Sequence, residues 1–419
     1  MRKRKKPDAR FSFFAPSESL LLLCLAGLMA LTVFTAVFPG GLLPRAEGTV
    51  LFTGSDEGHY PTLEEALHAA ASGDSILLAE GVYTCASGYI IEKNLTLQGP
   101  SEGEGILQTS KTPGGVSHAS VLTVGEGLRV TLNDLFIRHG SNRNGGGIYL
   151  GRESSLIMKN CTVMKNTALY SGGGIFARER NTLEITNCTI AHNTAWNGID
   201  TNPCGGGIAA FESALRMTNC TVYGNAGAFG GGIYSQAYDT GDLLLQNCTF
   251  HANEAETLGR SLCHHDNYRG AGFVTNSIFW GTGKGEIYAP TPLTITCSVT
   301  DLQGERNTSE NPRLGALENN GGPTSTCALG AGSSALDAGL SVGAHTFGKR
   351  ILTIPERDQR GVPRPQFDGV DMGALEMISR TAASSAETGS TVHFSKDTAE
   401  SLGEEPIVME RSEKENPGP

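Results

Sequence analysis

Three residues at one repeat position, His139, Lys165 and His192, are the first candidates for chemistry. On neighbouring turns of chain they would form a basic strip roughly 10 Å long, suited to an anionic glycan, although a solvated turn explains the same residues more simply. His264, His265 and Asp266 put three metal-ligand types in a row on an irregular-looking segment. Toward the C-terminus stand Asp337, Asp358, Arg360, Asp371 and Glu376. Glycoside hydrolysis needs two carboxylates roughly 5–10 Å apart, and a lyase needs a base beside a cation that holds the substrate carboxylate. Salt bridges and turns account for the C-terminal residues at least as well. No cofactor motif is present, and no group of residues amounts to a complete active site.

Whatever positions these residues is repetitive. Four blocks superimpose without gaps: Leu156 to Asn166, Leu183 to Asn193, Leu215 to Asn225 and Leu243 to Asn253. Each reads Leu-x-Φ-x-Asn-Cys-Thr-Φ-x-x-Asn, where Φ is apolar. Looser copies run from Val130 to Ile137 and from Gly272 to Phe279, and weaker ones from Ile90 to Gly99 and from Leu293 to Val299. From Asp134 through Asn160, Asn187, Asn219 and Asn247 to Asn276 the steps are 26, 27, 32, 28 and 29 residues. A second motif keeps phase with the first: Gly-Gly-Gly-Ile begins at Gly145, Gly172, Gly205 and Gly230. Each repeat thus holds a glycine turn, a strand, a short loop and a strand pair.

The Leu-x-Φ alternation has the period of a strand with one buried face. A unit of this length cannot close its own core, and it carries no helical pattern. Stacked in parallel about 4.8 Å apart, the units place Leu on Leu and Val on Ile, so the fold class is all-β, a right-handed parallel β-helix. The column Asn160, Asn187, Asn219, Asn247 and Asn276 reads as an inward amide ladder at a corner that needs left-handed backbone. Beside it runs Cys161, Cys188, Cys220 and Cys248. Packing as small apolar groups is the favoured reading, with a disulfide between neighbouring coils open and metal binding least favoured. Tyr60 to Asp74 reads as an amphipathic capping helix, with Thr62 and Glu65 forming a capping box and Gly73 ending it.

The 419 residues contain 55 glycines and carry a net charge of −11. An acidic body does not suit nucleic acid, which calls for a basic stripe. Six basic residues against two acidic ones open the chain, before Leu20 to Phe38, nineteen residues without a charge. About 20 apolar residues span a bilayer as a helix, so residues 20–38 are expected to export the chain, as an uncleaved membrane anchor or as a signal peptide. Residues 1–47 form this targeting segment and residues 48–300 the β-helix. Residues 301–379, rich in Gly, Pro and Asp, form an end or capping module, and residues 380–419 form a disordered tail.

The Gly-Gly-Gly-Ile motifs, with Val163 to Asn166, Ile190 to Asn193, Val222 to Asn225 and Phe250 to Asn253, resemble the repeats of chlamydial polymorphic outer membrane proteins. In that family the motifs read Gly-Gly-Ala-Ile and Phe-x-x-Asn. Asn311 to Gly315, Asn319 to Thr324, Gly332 to Gly339, Asp358 to Gly361 and Asp371 to Glu376 resemble the choice-of-anchor Q type of bacterial surface protein. Together the resemblances imply a β-helix displayed at a bacterial surface. The expected function is non-catalytic, adhesin-like or glycan-contacting. The partner would be an extracellular polysaccharide or a host or envelope surface. The alternatives are a polysaccharide lyase or glycoside hydrolase, and a purely structural envelope protein.

Overall fold

The computed structural model describes residues 48–378, apart from 114–117, 197–201, 238–241, 267–271, 282–284, 291–292 and 349. The N-terminal segment, with its apolar run and Cys24, and the proposed disordered tail lie outside the described residues. The central coils turn through four strands, for example Ser155–Lys159, Thr162–Met164, Thr167–Ser171 and Ile175–Arg178, and the outer coils through fewer. Successive coils pair in parallel, giving four sheets, here A to D in that order, of ten, eight, five and eight strands. Sheet C is the element that the repeat pattern hides. Its strands carry no strict alternation, and they occupy the stretch between the last Asn of a block and the next glycines.

The register is the one that the aligned blocks dictate. Leu156 pairs with Leu183, Leu183 with Leu215 and Leu215 with Leu243 on sheet A. On sheet B, Val163, Ile190, Val222, Phe250 and Phe279 follow one another. All of these side chains are buried, each worth about 1.5–3 kcal/mol against exposure. The capping helix spans Leu63–Ala69, and Thr62 accepts a hydrogen bond from the Glu65 amide at 3.2 Å. It ends at Ala70, three residues before Gly73, and Lys93 Nζ donates to the carbonyls of Leu67, His68 and Ala70 at that end.

Two corners hold the coil shape. Asn160, Asn187, Asn219, Asn247 and Asn276 all have φ between 48° and 54°, the left-handed region that Asn tolerates. Their ladder is real but short. Asn160 Nδ2 donates to Asp134, Asn187 to Asn160 and Asn219 to Asn187, at 3.0–3.3 Å. Asn247 has no partner for either amide atom, and Asn276 turns to the backbone of Leu340. The expectation of an inward row needs correction, since Asn160 and Asn187 are half-buried and the later members are covered from outside.

The inward amide row is instead Asn166, Asn193, Asn225 and Asn253, each at most 2% exposed. Each Oδ1 from Asn193 onward accepts both the Nδ2 and the backbone N–H of the Asn one coil earlier, at 3.0–3.1 Å. The glycine corner faces this row. Gly172 has φ 65°, and a Cβ on Gly173 would meet the Gly206 carbonyl oxygen at 2.4 Å, so only glycine fits.

Residues 301–378 do more than close the C-terminal end. Of two antiparallel hairpins, Gly343–Phe347 with Arg350–Ile354 meets sheet A, where Arg350 reaches Asp242 and the Phe273 ring, and Leu314–Glu318 with Thr326–Leu329 lies back along the outside of sheet B. There Thr189, Thr221 and Thr249 are the outward residues. Gln359 reaches into this row: its Oε1 accepts from Thr221 at 2.7 Å, and its Nε2 donates to Thr189 at 3.0 Å and Thr324 at 2.8 Å. Thr249 Oγ1 accepts from the Ala374 amide.

Candidate functional site

The outward column of sheet D is aromatic. Tyr149 and Phe176 are paired in register, and Tyr234 and Tyr288 stand at the same position in later coils. Where the column has Ala209 and Cys263, a ring two residues along the strand takes the place, Phe211 and His265. The result is a continuous series of Tyr149, Phe176, Phe211, Tyr234, His265 and Tyr288 with centroid separations of 5.1–5.9 Å. At strand spacing, six rungs cover about 24 Å. The displaced rings explain why periodicity in the sequence does not reveal the series.

The rings do not all present the same surface. Tyr149 and Phe176 lie nearly parallel, at 16°, while Phe211 is tilted by 50° and 42° from its neighbours. A ring stacked on both faces offers only its edge to solvent, and Phe176 is 6% exposed. The tilt leaves Phe211 half-buried. At Tyr149 the series stops, since the residue in register one coil earlier is Thr123. Thr123, Tyr149 and Phe176 line a groove of about 400 Å³ together with Gly151, Glu126, Arg152, Arg178 and Glu179. Glu179 sits between the two guanidiniums, 2.7 Å from Arg152 Nε and 3.3 Å from Arg178 Nε, and Arg152 lies 4.0 Å from Glu126.

The candidates read from the sequence fare differently. His139, Lys165 and His192 do stack, all with φ between 53° and 59°, yet they do not form an outward strip. His139 is 6% exposed, with Nδ1 3.2 Å from the Ser110 carbonyl oxygen. Burial first, and Arg138 second, lower its pKa to about 4, so it carries no charge at neutral pH. A loop reaching Ser110 covers this coil, which nothing in the repeat announces. Lys165 is half-buried and His192 exposed, and the His192 ring meets Tyr223 edge-on at 5.3 Å. Desolvation and then Lys165 lower the His192 pKa.

His264 and His265 alternate on one strand, Leu262–Asp266, so His264 is buried in the core while His265 joins the aromatic series. Among the described residues no three His, Cys, Asp or Glu side chains come together to hold a metal ion. Cys161, Cys188, Cys220 and Cys248 stack in the core, and all nine described cysteines are free thiols. The Cys161 amide donates to Cys188 Sγ at 3.3 Å.

The C-terminal carboxylates do converge. Arg364 Nη1 lies 2.8 Å from Glu376 Oε2, both side chains buried, and Arg360 Nη2 lies 2.8 Å from Asp358 Oδ2. Asp337 Oδ1 accepts from the Gly369 amide, and Asp371 from the amides of Asp337 and Met377. Glu376 accepts from the amides of Gln366 and Asp371. Burial raises the pKa of Asp371 and Glu376. These carboxylates are engaged by arginines and backbone amides of their own chain.

Residues 86–296 match the family described as the right handed beta helix region. The chain belongs to the right-handed β-helix family. No curated protein matches this β-helix chain. Among solved structures, the crystal structure of pectate lyase Pel9A is similar at 12% identity and a TM-score of 0.41, covering 80% of this chain and 97% of that one.

Proposed function

We propose that this β-helix protein is exported, displayed at a bacterial surface and contacts glycans without cleaving them. The observation that carries this reading is the aromatic series of sheet D, whose Tyr149, Phe211, His265 and Tyr288 stay partly exposed among the described residues, while the outer face of sheet B is covered by residues of the same chain. Aromatic rings offer sugars an apolar surface and a negative π face for their axial C–H groups, and a stacked solenoid repeats such contacts along its length. The resemblances to polymorphic outer membrane repeats and to choice-of-anchor Q proteins support surface display, with residues 20–38 as the anchor or export signal. The non-catalytic part of the reading rests on the C-terminal carboxylates, which are held by arginines and backbone amides.

The test is retention of the full chain on a panel of immobilised neutral and acidic polysaccharides, with reducing-end release followed in parallel. Retention without release is expected, and Phe211→Ala should weaken it about tenfold. Release of reducing ends from any polymer would replace this reading with a lyase or hydrolase. A chain that passes through every column unretained would leave the structural-envelope reading.

A further inference from the structure

Resting on the glycan-contacting reading, we propose that the groove at Tyr149 is a subsite for one end of a neutral hexopyranose chain. The first ground is shape. Thr123 stands where the aromatic series would place another ring, and the groove floor beyond it is bare backbone at Gly125 and Gly151. Gly151 packs directly on the backbone of the preceding coil, where a Cβ would lie 2.8 Å from the Glu126 nitrogen, so that position holds only glycine. A flat, half-apolar ligand can therefore lie against Tyr149 in this groove.

The second ground is charge. Glu126, Arg152, Arg178 and Glu179 sum to zero, and the two guanidiniums already share Glu179. Vicinal hydroxyls both donate and accept, and this cluster offers carboxylate acceptors and guanidinium donors side by side. A uronate would have to displace Glu179 from the arginines and then lie near Glu126, on a body whose net charge is −11. The arginine side chains are 65% and 61% exposed, and exposed pairs contribute little stability, so regrouping around hydroxyls is cheap.

The experiment titrates the full chain with a neutral β-1,4-glucan oligosaccharide, a neutral α-glucan oligosaccharide and an oligogalacturonate, at low and high salt. Binding of a neutral probe, insensitive to salt, is expected. Tyr149→Ala should weaken it about tenfold or more, and Tyr149→Phe should keep it. Thr123→Trp, which fills the groove while removing no packing, should abolish it. Preference for oligogalacturonate, affinity that falls with salt, or neutral binding unchanged in both Tyr149→Ala and Thr123→Trp overturns the subsite. If that unchanged binding is instead lost in Phe211→Ala, the glycan-contacting reading stands without this subsite. Absence of binding to all three probes, together with no retention on the polysaccharide panel, removes both.

Discussion

The outer faces of sheets B and D run side by side along one axis and have opposite fates. Sheet B presents Thr189, Thr221 and Thr249, small hydroxyls that the C-terminal module covers through Gln359, Ser325 and Ala374. Sheet D carries a stacked aromatic series in which Phe176 and Tyr234 are buried while Tyr149 and Phe211 stay partly exposed. A row of threonines offers hydrogen-bonding groups at strand spacing, which a backbone and one amide side chain can match rung by rung. Rings of that size satisfy one another and leave edges and tilts to solvent. The same coil thus builds an intramolecular interface on one side and a contact surface on the other by changing one outward residue per strand.

The largest test of this contrast breaks the covered side. Arg364→Met leaves Glu376 buried without its partner, which should cost about 3–5 kcal/mol. Thermal unfolding should fall accordingly, and amide exchange should rise at Thr189, Thr221 and Thr249 while the strands of sheet D keep their protection. Equal loss of protection on both sheets would show that the module is not separable from the solenoid. A smaller loss, about 1–3 kcal/mol, is expected for Gln359→Ala in denaturant unfolding, since it strands the buried hydroxyl of Thr221 while Thr189 and Thr324 keep the carbonyls of Ser325 and Asn187; loss below that of an exposed substitution would deny Gln359 its place in the seam.

The smallest effect concerns the loop-covered coil at His139. Its folded pKa, about 4, lies below the unfolded value of about 6.5. The folded state therefore resists protonation, and stability is lost as pH falls from the unfolded value toward the folded one. Acidification from pH 7 to 5.5 should cost about 1 kcal/mol through this group, and His139→Gln should remove that part of the pH dependence in thermal melts. An unchanged profile in the variant would mean that the imidazole is hydrated.

Much of this architecture was legible because each coil repeats its core at a fixed offset. The Leu and Val/Ile columns, the left-handed Asn corner and the stacked cysteines follow from aligned blocks alone. Sheet C did not, because strands such as Thr167–Ser171 lack alternation. The aromatic series escaped because Phe211 and His265 are two residues out of register with Tyr149, Phe176 and Tyr234. The burial of His139 and the corner positions from Asn219 onward depends on segments outside the repeat, a loop at Ser110 and the C-terminal module through Arg357 and Leu340. Periodicity reports what a coil does to its neighbour, and these segments act on coils far away in sequence.

The seam along sheet B also limits how this molecule can evolve. Gln359 and Ala374 meet Thr189, Thr221 and Thr249 on three consecutive coils, so the distance between those contacts is a ruler cut to a fixed number of turns. A duplicated repeat inserted among them would push the C-terminal module out of step with its anchoring hydroxyls. One inserted earlier, between Leu95 and Lys159, would lengthen the shaft and carry the clasped end outward unchanged. Growth of this solenoid by gene duplication is therefore steered toward its N-terminal half.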